Sequence, residues 1–166
     1  MRVERIPLEG STREPTGRTA AHVVGDSEGL LVDPAAIDDR VRAGFDRIDH
    51  VAVTHHHSDH VAGVAACAEA TDATVWCRYG RQAEFTDATG IEPDRVFRDG
   101  TTIPVDEGIV VRETPGHAPE HVAFEVCNSL LSGDLAVSQG RVVVGSPEGD
   151  VRRYLTSLRC VHATTP

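Results

Sequence analysis

The sequence predicts an α+β fold in which two sheets are sandwiched between helices. Short apolar runs of strand character fill both halves of the chain, a helical apolar pattern interrupts them near the middle, and another closes the sequence. Residues 2–6, 20–25 and 29–33 read as strands, the last two joined by the turn-forming loop Gly25-Asp26-Ser27-Glu28-Gly29. Asp33-Pro34 ends that hairpin. Residues 35–44 read as a helix with Gly44 as its C-cap. Residues 49–53 form the next strand. Val61, Val64, Ala65 and Ala68 then recur at helical spacing and predict a helix over about 59–70. A strand is expected at 73–77, a helix at 79–88, and short strands at 95–98, 109–113, 121–127, 129–132 and 141–145. Ser146-Pro147-Glu148 has the form of a helix start: serine as N-cap, proline at the first helical position, an acid in the first turn. Val151, Tyr154, Leu155, Leu158 and Val161 follow as one apolar stripe, expected to pack in the core.

Composition bounds the function. The chain has 166 residues, enough for a single domain over 1–166 with its own core, and its 40% hydrophobic and 25% charged residues are ordinary for a soluble protein. Met1 to Pro7 hold no apolar signal-peptide core, and no run approaches the roughly 18 apolar residues of a membrane span, so the default location is cytoplasmic. Acidic residues number 26 against 16 basic ones, and every basic residue is arginine. A formal charge of -10 argues against a nucleic-acid groove, which needs clustered cations. Acidic excess without lysine resembles halophilic proteins, so the charge is read as a response to solvent rather than to a partner. Cys67, Cys77, Cys127 and Cys160 show no C-x-x-C spacing and read as reduced, mostly buried small hydrophobes.

The chemistry concentrates in Thr54-His55-His56-His57-Ser58-Asp59-His60, which holds four of the nine histidines. Neutral imidazole and carboxylate are preferred ligands of zinc and similar divalent ions. His55 and His57 share a parity and point the same way from extended backbone, so they can grip one ion. Asp59 and His60 follow where the backbone turns, placed to grip a second. Downstream, Thr114-Pro115-Gly116-His117 sets a histidine in a loop after an apolar strand, and Ser132-Gly133-Asp134 sets a carboxylate after Leu130-Leu131.

In their order and company these motifs resemble the metallo-β-lactamase fold superfamily: Leu31-Val32-Asp33, the 54–60 cluster, Pro115-Gly116-His117 and Gly133-Asp134, spanning residues 20 to 158. More narrowly, Thr114 to His121, Ser132 to Leu135 and Gly149 to Leu158 look like the glyoxalase-II-like and β-lactamase-like-protein-2 branches. The resemblance implies a four-layer αββα sandwich and a metal-dependent hydrolase of hydroxyacylglutathione-hydrolase type. It implies that His55, His57 and His117 bind a first zinc, that Asp59 and His60 bind a second, and that Asp134 bridges them. A metal-bound hydroxide would attack a thioester, ester or related small substrate, with Asp59 orienting the nucleophile. Asp33 would support the site through hydrogen bonds. His22 and His121 are candidate neighbours of the site, His56 has the wrong parity to be a ligand, His50 is expected to be solvated, and Trp76 to be core.

The family's usual late histidine ligand, in a Gly-rich loop beyond the terminal helix, has no counterpart here. His162 is the only histidine after Asp134 and reads as a helix-end surface residue. The resemblance therefore leaves the second zinc short of a ligand and the fold short at its C-terminus, with a surface that a second copy of the protein would cover. Iron or manganese is the alternative metal. The alternative functions are a mononuclear iron oxygenase of the persulfide dioxygenase type, an RNA or phosphodiester hydrolase, and a metal-binding but inactive domain.

Overall fold

The computed structural model describes residues 1–9, 18–43, 47–137 and 140–164. In sequence order the elements are β1 (Val3–Glu9), β2 (Arg18–Val24), β3 (Gly29–Val32), α1 (Asp39–Arg42), β4 (Ile48–Ala52), α2 (Ser58–Val61), α3 (Val64–Thr71), β5 (Thr74–Arg78), α4 (Gln82–Thr89), β6 (Arg95–Phe97), β7 (Thr102–Ile103), β8 (Ile109–Glu113), β9 (Val122–Val126), β10 (Ser129–Leu131) and α5 (Val151–Thr164). One sheet has the order β1-β2-β3-β4-β5-β6, the other β10-β9-β8-β7. In the first sheet β1, β2 and β3 pair antiparallel, while β3 to β6 pair parallel through helical crossovers. The second sheet is antiparallel throughout.

The two-residue period of the strands builds two cores. Leu30, Val32, Ala52, Trp76 and Phe97 from the first sheet meet Ile103, Ile109, Val111, Val122 and Phe124 from the second. Phe97 and Phe124 lie edge to face between the sheets, their rings 5.9 Å apart. Leu31, Val51, Val75 and Cys77 point the other way, onto Val41, Val61, Val64, Cys67 and Phe85 of α1 to α4. Helix α5 docks on the loops after β8 and β10, where Ser157 donates to the Pro115 carbonyl at 2.7 Å and Tyr154 to the Leu135 carbonyl at 2.8 Å. The layers form the expected αββα sandwich.

Several elements differ from the sequence reading. The helix expected over 35–44 shortens to Asp39–Arg42, because the Asp38 carboxylate caps it by accepting from the backbone of Arg40 and Val41. The expected Gly44 cap lies outside the described residues. The helix expected over 59–70 is broken, because the backbone at Gly63 docks on Pro34, where a Cβ would stand 2.5 Å from the Pro34 carbonyl oxygen. Residues 141–145 form no strand. Helix α5 starts at Val151 instead of Pro147: Asp150 Oδ1 accepts from the N–H groups of Arg152 and Arg153, so Asp150 is its cap. The α5 stripe is not core: Val151 is 55% and Leu155 46% exposed, and Ser157 is the buried residue instead. Cys127 is exposed at the β9–β10 turn, with a positive φ of 49°. His50 is half-buried, accepting a 3.2 Å bond from Trp76 Nε1, and Trp76 is core as expected.

Candidate metal centre

The site lies where strands end. Asp33 follows β3, the 54–60 cluster follows β4, the adjacent parallel strand, and these carboxyl ends lie together at one end of the first sheet's central strands. His117 follows β8 and Asp134 follows β10, so the second sheet brings its own strand ends to the same place. The backbone joins the two sides: Val122 N–H donates to the Thr54 carbonyl at 2.8 Å.

Four residues converge there. His55, His57, His117 and Asp134 each offer a donor atom, all within 4.8 Å of one another. His57 Nδ1 stands 2.9 Å from His55 Nε2 and 3.0 Å from His117 Nε2. Asp134 Oδ2 lies 3.2 Å from His117 Nε2 and 4.0 Å from His55 Nε2.

The protons on these rings follow from their outward partners. His117 Nδ1 faces the Val143 carbonyl at 2.8 Å, and a carbonyl only accepts, so Nδ1 carries the hydrogen. His57 Nε2 faces the Glu148 carboxylate at 2.8 Å and carries it for the same reason. Thr54 Oγ1 donates to Asp33 Oδ2 at 2.8 Å, which leaves it only an acceptor toward His55 Nδ1 at 3.1 Å. With neutral rings, His55 Nε2, His57 Nδ1 and His117 Nε2 are then all bare lone pairs facing one point. Three converging lone pairs beside a carboxylate repel one another unless a cation stands between them. The donor set therefore fits a divalent metal of nitrogen-and-oxygen preference. Burial reinforces the neutral forms, holding His55 well below its ordinary pKa and His117 below it.

His60 lies beside this group, not within it. Its Nδ1 donates to Asp33 Oδ2 at 3.0 Å, and its Nε2 stands 3.4 Å from Asp134 Oδ1. Asp134 thus turns one oxygen to the three-histidine group and the other to His60. Burial opposes charge on His60, but Asp33 and Asp134 outweigh it and raise its pKa to about 10. Burial likewise works to raise the Asp134 carboxyl, yet His60 and His117 hold it below its usual value. Asp59 is buried on α2 next to His60 and outside the four-donor group.

The other sequence candidates fall around this centre. Asp33, 3% exposed, accepts from Thr54 N at 2.7 Å, from the Thr54 hydroxyl and from His60. His121 is fully buried with its ring 5.3 Å from that of His55, bonded through Nδ1 to Thr114 Oγ1 at 2.8 Å, and burial pushes its pKa down to about 3. His22 is half-buried on β2, its Nδ1 without a hydrogen-bond partner among the described residues. His56 turns away onto Phe85, and its backbone N–H donates to Glu120 at 3.1 Å. His162 is exposed on α5. Sequence reasoning missed three contributors. Thr54 carried no signal beyond its place in the motif, the Val143 carbonyl carried none, and Glu148 was masked by its helix-start company.

The Metallo-beta-lactamase superfamily pattern matches residues 15–161. A hydroxyacylglutathione hydrolase of Cereibacter sphaeroides is 38% identical over 123 residues, covering 70% of this chain and 44% of that protein. One from Tolumonas auensis is 34% identical over 129 residues, covering 74% of this chain and 49% of that protein. The chain thus spans about half the length of these relatives. Among solved structures, the BLEG-1 B3 metallo-beta-lactamase superposes with a TM-score of 0.80 at 21% identity, over 99% of this chain and 87% of that one.

Proposed function

This chain belongs to the metallo-beta-lactamase superfamily, and from that premise we propose that it is a metal-dependent hydrolase, with zinc as the metal and a small thioester or ester as the substrate. The observation that carries the reading is the convergence of three bare imidazole nitrogens with Asp134. His55, His57, His117 and Asp134 would hold a first ion. Asp59, His60 and Asp134 would hold a second. When bound, zinc supplies a Lewis acid that makes water a nucleophile near neutral pH and polarises the scissile carbonyl.

The protein's own residues do the rest. Thr54 and Val143 hold the His55 and His117 imidazoles with their lone pairs inward. Asp134 spans both sides of the centre with its two oxygens. Asp59 is assigned the orientation of the attacking water. No serine or cysteine nucleophile is required.

Glutathione thioesters of hydroxy acids are the first substrates to assay, because the relatives are named for them. The test begins with metal analysis of protein purified without chelator. Zinc is expected, and His57→Ala and Asp134→Ala should each lower the metal content sharply and abolish turnover. Intact protein devoid of zinc, iron and manganese would overturn the reading. Full iron occupancy with oxygen consumption on a persulfide would replace hydrolysis by oxygenation.

A further inference from the structure

Glu148 reads in the sequence as an acid in the first turn of the last helix, and the fold uses it elsewhere. Residues 143–150 cross from the His117 loop toward the His57 loop before α5 begins. His117 Nδ1 donates to the Val143 carbonyl at 2.8 Å. Gly149 N–H donates to the Gly145 carbonyl at 2.6 Å and closes a turn, and Asp150 N–H donates to the Gly116 carbonyl at 2.8 Å. The segment is thereby fastened at two points to the loop that carries His117. Between those points Glu148 Oε2 reaches His57 Nε2 at 2.8 Å. The same short segment therefore touches the outward nitrogens of two converging histidines.

Accepting that His55, His57, His117 and Asp134 hold a metal, we propose that Glu148 is a positioning residue for His57. Its carboxylate accepts the Nε2 hydrogen, selects the tautomer with a bare Nδ1, and sets the ring so that Nδ1 faces His55 and His117. The other two imidazoles are set by the buried frame: His55 by the Thr54 hydroxyl, 1% exposed, and His117 by a backbone carbonyl. His57 instead depends on a side chain that is 51% exposed and belongs to a loop. A negative charge on the outward nitrogen also makes Nδ1 a stronger ligand, as carboxylate–histidine pairs do at metal sites. Because the loop is anchored beside His117, Glu148 couples the placement of His57 to that of His117.

The test uses the full-length protein with Glu148→Ala and Glu148→Gln. Nitrogen-15 NMR of the metal-free protein at mildly alkaline pH reads the His57 tautomer, and competition with a chromophoric chelator reads zinc affinity. The unsubstituted protein should show the Nε2–H tautomer. Glu148→Ala should show a tautomer mixture and bind zinc about 10–100-fold more weakly. Glu148→Gln, which keeps an acceptor without the charge, should retain the tautomer and lose less affinity. The thermal midpoint of the metal-free protein should stay unchanged in both, which separates positioning from a merely structural role. An unchanged tautomer or an unchanged zinc affinity in Glu148→Ala overturns the proposal. If the unsubstituted protein binds no zinc, the metal-centre reading fails, and the tautomer measurement still decides whether Glu148 sets His57.

Discussion

Thr54→Val isolates the hydrogen-bond chain beneath the centre. Valine nearly matches threonine in shape, so the change removes a hydroxyl and opens no large cavity. Thr54 is 1% exposed and His55 fully buried, so water cannot easily replace what is lost. Two bonds disappear. The first runs from the Thr54 hydroxyl to Asp33 at 2.8 Å, and a bond to a charged group contributes about 1.5–3 kcal/mol. The second is the acceptor for His55 Nδ1–H at 3.1 Å, whose loss strands a buried donor at about 1–3 kcal/mol. Allowing for the added apolar contact of the methyl group, the loss should be about 2–5 kcal/mol. Urea unfolding of the chelator-treated protein measures it, with an unchanged denaturant slope as the sign that the folded state is intact. His55 should also lose its fixed tautomer, and zinc affinity should fall. A stability loss under about 1 kcal/mol with His55 still in its Nδ1–H form would refute the hydrogen-bond chain from His55 through Thr54 to Asp33, and with it the deduction that His55 Nε2 is bare.

Other perturbations give equally definite outcomes. In the metal-free protein the His60 pKa is raised from 6.5 to about 10, so its stabilising contribution is full below 6.5 and fades as pH climbs toward 10. His121 is depressed from 6.5 to about 3, so its contribution is full above 6.5 and fades as pH falls. The thermal midpoint of chelator-treated protein should thus be highest near neutrality and fall on both sides; a midpoint still rising at strongly alkaline pH would contradict the His60 assignment. Gly133→Ala should lower stability by about 2–4 kcal/mol and weaken metal binding through Asp134, because φ there is +48° and a Cβ would meet Thr54 Oγ1 at 2.6 Å and His121 Nε2 at 2.9 Å. A chelator-free melting curve matching the unsubstituted protein would count against that crowding. Asp150→Ala should destabilise by about 0.5–2 kcal/mol through loss of the α5 cap, readable as reduced helicity and midpoint by circular dichroism. Equal stability would mean that α5 is fixed by its docking alone.

The residues that meet at the centre were legible because their chemistry is local. A histidine pair two apart is expected to share a side, and the donor atoms of His55 and His57 do meet, although the backbone bends at Thr54 and His55. His117 and Asp134 were legible only through their order after apolar strands. The strand positions also transferred well, since a strand buried on both faces reads as a continuous apolar run such as Leu30-Leu31-Val32. What failed was punctuation that depends on distant contacts. Pro147 and Glu148 looked like a helix start, yet the Asp150 carboxylate and the Gly116 carbonyl decide where α5 begins. The break at Gly63 exists because Pro34 is packed against it, which spacing along one helix cannot reveal. The α5 stripe has a helical period but little to pack against among the described residues, since periodicity states which face is apolar and not what covers it.

The Val122–Thr54 backbone bond has a consequence for unfolding. It crosses from the strand that ends in the histidine cluster to the sheet that supplies His117 and Asp134. The donors at the centre thus come from both sides of one seam: His55 and His57 from the first sheet, His117 and Asp134 from the second. An ion held there would act as a rivet between the two halves of the sandwich, contributing to cooperativity as well as to chemistry. Stripping the ion should therefore loosen the seam before either sheet melts, and backbone amide exchange at Val122 should accelerate ahead of the buried strands β3 and β4.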